Sequence, residues 1–66
     1  MARPTRIETA RKNLARLTGA LEDATLIAAE GQAAPDIMDA RQTCDRLIAE
    51  LETCLGHLHW LRRRLG

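Results

Sequence analysis

Phenylalanine and tyrosine are missing from this 66-residue chain, and Trp60 is its only aromatic residue. β-Branched residues are scattered among Ala, Leu, Arg and Glu, a composition that excludes a strand-rich fold and favours helix. Cysteine is nearly as scarce. Cys44 and Cys54 could form one bridge at most, which excludes a disulfide scaffold. Their spacing along one helix, ~15 Å, is too wide for a bridge within the chain. No apolar run is long enough to span a membrane, and the N-terminus lacks the apolar stretch of a secretory signal. Its arginines, with Glu8 as the only acid, partly mimic a mitochondrial transit peptide. The same segment nevertheless carries an apolar stripe with a counterpart downstream, so a cytoplasmic protein with reduced thiols is expected.

The length allows one domain, residues 1–66. Below roughly 70–80 residues one core rarely supplies more than ~3–5 kcal/mol, so stability from a partner is expected. With no staple in view, self-association is its expected source.

Two helices are legible. Thr5 followed by Glu8 is a capping box: the threonine hydroxyl accepts from a free backbone N–H, and the carboxylate reaches back to the N–H of Thr5. Pro4 suits an extended entry. Ile7, Ala10, Leu14, Leu17, Leu21, Ala24 and Ala28 then alternate three- and four-residue steps, a heptad stripe. Gly31 is expected as a left-handed cap, and GQAAPD is the chain's one break. Pro35 fits a first helical turn whose positive end favours Asp36 and Asp39. The stripe restarts as Ile37, Ala40, Cys44, Leu47, Leu51, Cys54, Leu58, Leu61 and Leu65, with Gly56 the one poor helix former inside. The predicted elements are helix 1 over about 5–30, a loop at 31–35, and helix 2 over about 35–65.

Folded back on itself, the chain pairs Ala28 with Ile37, Leu21 with Cys44, Leu17 with Leu47 and Leu14 with Leu51, numbers summing to 64 or 65. This is an all-α fold, a two-helix antiparallel hairpin. Ile27, Ile48 and Leu55 widen the apolar face beyond a two-helix seam, which predicts a homodimeric four-helix bundle. The predicted core and dimer residues are Leu14, Leu17, Leu21, Cys44, Leu47, Ile48, Leu51, Cys54, Leu55 and Leu58, the cysteines acting as small hydrophobes.

In size, in its two heptad helices, in its mid-chain loop and in the cysteines of the second stripe, the chain resembles the Rop family of small plasmid-encoded RNA-binding regulators. The resemblance implies an antiparallel dimer of hairpins that holds paired RNA hairpins with polar and basic residues of the first helices. The family's RNA face includes an aromatic on helix 1, whereas residues 5–30 contain none, and the loop here is longer. No contact residue is carried over by alignment.

The net charge of +1 hides a strong asymmetry. Residues 1–16 and 50–66 hold Arg3, Arg6, Arg11, Lys12, Arg16, Arg62, Arg63 and Arg64 against Glu8, Glu50 and Glu52, about +5. Residues 20–45 hold Glu22, Asp23, Glu30, Asp36, Asp39 and Asp45 against Arg41, about −5. One reading is that complementary ends steer antiparallel assembly. The other is a phosphate-binding patch made by Arg6, Arg11, Lys12, Arg16, Arg62, Arg63 and Arg64, with Trp60 to stack on a base. The implied function is a non-catalytic regulator binding structured RNA or DNA. The alternative is a protein–protein adaptor using Leu26 and Met38, apolar residues off the stripes. Cys54 and His57 are helical neighbours, but His59 points ~200° away, so no metal or other cofactor is expected. No nucleophile–base set or carboxylate pair converges, and an enzyme is not expected.

Overall fold

The computed structural model describes residues 5–66, so Arg3 and Pro4 lie outside the described residues. Helix α1 spans Arg6–Gly31 and helix α2 spans Ile37–Leu65. They pack against each other as a hairpin, and no strand occurs among the described residues.

Both helix starts follow from side-chain capping. Thr5, in extended conformation, accepts from the Glu8 N–H at 3.2 Å, while the Thr5 N–H donates to the Glu8 carboxylate at 3.3 Å. This is the expected capping box. At α2 the N-cap is Asp36, whose carboxylate accepts from the Asp39 N–H at 2.9 Å. Pro35 therefore precedes the helix instead of opening it. An aspartate at the cap satisfies an otherwise free N–H, which proline cannot do.

Gly31 departs from its expected role. Gly66 is the only residue with positive φ among those described, so Gly31 does not form a left-handed cap. The chain leaves α1 by tightening: the N–H groups of Gln32, Ala33 and Ala34 donate three residues back, to Ala29, Glu30 and Gly31, at 3.1–3.2 Å. Gly31 is needed for space, because an added Cβ would run into the Thr43 methyl group. Gly19 and Gly56 have nothing within 4 Å of that position. Gly31→Ala should therefore lower stability by about 1–3 kcal/mol despite alanine's better helix propensity. Gly19→Ala and Gly56→Ala should each raise it by about 0.5–1 kcal/mol. Thermal melts followed by circular dichroism test the opposite signs; three stabilising alanines would disprove the close approach.

The Gly31–Thr43 approach also shows that the helix pairing is displaced from the expected one. Leu17 shares a groove with His57, Leu58 and Leu61, which lie 10–14 residues further along α2 than Leu47. The reason lies in the loop. Helix α2 begins only at Ile37 and its first turn projects past the end of α1, leaving Ile37 and Met38 79% and 72% exposed.

The hairpin measures 54 × 18 × 14 Å. A thickness of 14 Å is little more than one helix with its side chains, ~10–12 Å, so the fold is a single layer. Domains ordinarily need two layers to enclose a core. Among the described residues only Ala10, Ala24, Cys54 and Leu61 are buried.

Candidate functional site

The heptad stripes divide in a way that defines two unlike faces. In a heptad helix, steps of three and four residues land about 50° to either side of the starting position. On α1 the middle line is Ala10, Leu17, Ala24 and Gly31; on α2 it is Leu47, Cys54 and Leu61. All seven are buried or half-buried. To one side of these lines Asn13, Ala20 and Ile27 on α1, and Thr43 and Glu50 on α2, are also half-buried. The seam between the helices is thus made largely of small and polar side chains. Thr43 also donates its hydroxyl to the Asp39 carbonyl at 3.1 Å, which keeps its polar group within its own helix.

On the other side lie the large apolar residues, and they are open. Ile7, Leu14 and Leu21 on α1 are 43–55% exposed, and Leu51, Leu58 and Leu65 on α2 are 39–48% exposed. Viewed from one end, antiparallel helices rotate in opposite senses, so these two lines share one broad face. Cys44 is exposed on the same line, and Ile48 and Leu55 extend it at 53% and 52% exposure. Of the predicted core residues, Leu17, Leu47 and Cys54 enter the seam. Leu14, Leu21, Cys44, Ile48, Leu51, Leu55 and Leu58 do not; each is exposed, because the helices approach on the opposite flank, where Ala20 and Thr43 are small. Ile27 also differs from expectation: it is half-buried on the seam's polar side and does not widen the apolar face.

The opposite broad face is polar, with a groove toward each end. The larger, about 500 Å³, lies toward the open end of the hairpin. Asn13, Arg16, Ala20, His57 and Trp60 line it, with Leu17 and Leu61 of the seam and Leu14 and Leu58 of the apolar face at its floor. Asn13 is fixed there by donating its side-chain amide to the Thr9 carbonyl at 2.9 Å. The Arg64 guanidinium stacks over the Trp60 ring, 4.8 Å from its centroid. Arg6 and Arg64 fall on the same helical lines as Asn13 and His57, so this end of the face is basic. The smaller groove, about 260 Å³, is at the loop end and includes Glu30, Asp39 and Arg46.

The predicted nucleic-acid residues are therefore sorted by the fold. Arg6, Arg16, Trp60 and Arg64 share the polar face. Arg11 and Arg62 flank the apolar face, and Lys12 and Arg63 occupy the outer edges of α1 and α2. Asn13 and His57 were not anticipated as groove residues; their signal is the seven-residue series Arg6–Asn13–Ala20 and His57–Arg64 beside the seam. Leu26 and Met38, 62% and 72% exposed, lie on the outer edges of different helices and do not form one patch.

Among the described residues no three His, Cys, Asp or Glu side chains are grouped to hold a metal ion. No described helix is long and apolar enough to cross a membrane. The protein-family models, the curated proteins and the solved structures contain no match to this chain.

Proposed function

We propose that this protein is a small non-catalytic regulator that pairs through its open apolar face and binds structured RNA or another nucleic acid through its basic end. The single observation that supports both halves is the segregation of the hairpin into an apolar face and an opposite polar face carrying arginines and the sole tryptophan. Pairing by the first leaves the second free.

Area supports the pairing. The chain exposes 5742 Å², whereas a compact 7.4 kDa monomer exposes roughly 4,200 Å². The excess, about 1,500 Å² per chain, is the amount an obligate homodimer interface removes. A second copy is the occupant of matching chemistry: its stripe has the same seven-residue period, and its acidic loop end complements the basic open end when the hairpins run antiparallel. The product is a four-helix bundle of the Rop-like kind, with Cys44 at the interface as a small apolar group.

The arginines lie where nucleic-acid phosphates could meet them after pairing. The adaptor reading lacks comparable support, since Leu26 and Met38 fall on separate edges. Sedimentation equilibrium at micromolar concentration, with retention of labelled RNA and DNA at low salt, tests the proposal. A dimer that retains either polymer is the expected result. A well-folded monomer would remove the first half, and a dimer that retains neither polymer would remove the second.

A further inference from the structure

We propose that the larger groove is a seat for one unpaired nucleobase together with its adjoining phosphate, so that the protein distinguishes unpaired from paired nucleotides. This rests on the nucleic-acid reading above and adds the feature recognised. The groove, about 500 Å³, is within the ~300–1,000 Å³ range of sites that enclose a small ligand. Its interior is apolar, and its wall carries a large flat ring, Trp60, 40% exposed. A flat, weakly polar ring is what such a surface stacks against, and a base offers one regardless of sequence.

The polar groups suit the rest of a nucleotide. Arg16 lines the groove and Arg64 is held on the indole, giving two guanidiniums for a phosphate that follows the stacked base. No carboxylate lines this groove, in contrast to the loop-end groove with Glu30 and Asp39. Asn13 and His57 carry groups able to donate to or accept from a base edge. A base within a duplex keeps both faces stacked and cannot enter without being extruded, which takes a few kcal/mol per nucleotide. Single strands and hairpin loops present bases already free.

Trp60, as the only tryptophan in a chain without tyrosine, reports its own contacts by fluorescence. The intact protein is titrated with a short single-stranded RNA, with a blunt duplex of the same sequence, and with a nucleoside monophosphate. Binding of labelled strands is read by anisotropy, and stacking by Trp60 emission. The single strand should bind with saturable quenching, and the duplex should bind through the arginines with little quenching. Quenching by the monophosphate only at far higher concentration assigns the seat to a strand; equal potency assigns it to free nucleotides. Trp60→Leu should weaken single-strand binding by roughly 5- to 100-fold while leaving duplex binding within about twofold. Trp60→Phe, which keeps a ring, should restore most of the difference. Single-strand binding without quenching, or unchanged by Trp60→Leu, overturns the seat while the nucleic-acid reading survives. Failure of every strand to bind at low salt overturns both.

Discussion

Replacing Leu51 with glutamate should convert the protein from a stable helical dimer into a poorly folded monomer. In the hairpin alone Leu51 is 48% exposed, so a charge there would be nearly harmless to an isolated chain. In the proposed paired bundle it would lie on the covered face, and the symmetry of a homodimer would repeat the defect in both copies. Loss of a buried leucine costs ~2–5 kcal/mol, so two copies weaken the dimer by at least about 4 kcal/mol, roughly a thousandfold in dissociation constant. Burial of an unpaired carboxylate adds to this. Because folding and pairing share one free energy, the melting temperature should also become strongly dependent on concentration. Leu26→Glu supplies the control. Leu26 is 62% exposed but lies on the outer edge of α1, so that variant should remain dimeric with an unchanged melt. Sedimentation equilibrium and circular dichroism read both outcomes. A folded, dimeric Leu51→Glu protein would show that the apolar face is not the interface.

The amino-acid order makes the helices legible but leaves their pairing to the surfaces they bring together. Periodicity established the two helices, and local hydrogen-bonding chemistry established their starts: Thr5 and Glu8 form their capping box because both partners lie within one turn. The hairpin's seam was harder. A stripe of alternating three- and four-residue steps states that two helical lines are apolar, but not which flank its neighbour will cover. Leucine 14 and Leu17 are equally greasy in the sequence, yet the first is exposed and the second half-buried. What decides between them is that Ala20 on the polar flank and Gly31 on the middle line permit close approach, a property of paired surfaces. Register failed for a related reason. Counting pairs from Ala28 and Ile37 assumes that both helices reach the turn together, whereas the first turn of α2 overhangs and Gly31 meets Thr43. The basic end was legible as a charge total, but its division among faces required the burial of Ala10 and Leu61 to fix the rotation of each helix.

That division gives the three consecutive arginines separate expected roles. Arg64, stacked on Trp60, belongs to the polar face; Arg63 lies on the outer edge of α2; Arg62 flanks the apolar face. Arg64→Ala should weaken RNA binding about tenfold at low salt and reduce the slope of log affinity against log salt by roughly 0.7–0.9, the contribution of one phosphate contact. Arg63→Ala should have a smaller effect in the same sense. Arg62→Ala should leave RNA affinity nearly unchanged and instead weaken dimerisation, because in the proposed antiparallel arrangement its guanidinium would lie toward the acidic loop end of the second copy. Exposed pairs of this kind contribute ~0.2–1 kcal/mol, so the shift in dimer dissociation constant should be only a few-fold and should vanish at high salt. The triple alanine variant should combine the losses, reducing RNA affinity by roughly 10- to 100-fold. Anisotropy titrations across a salt series, paired with sedimentation of the same variants, separate the two effects. Three single variants with identical loss of RNA affinity would mean that the charge acts only as an undifferentiated cloud, and that the rotation of α2 has no part in recognition.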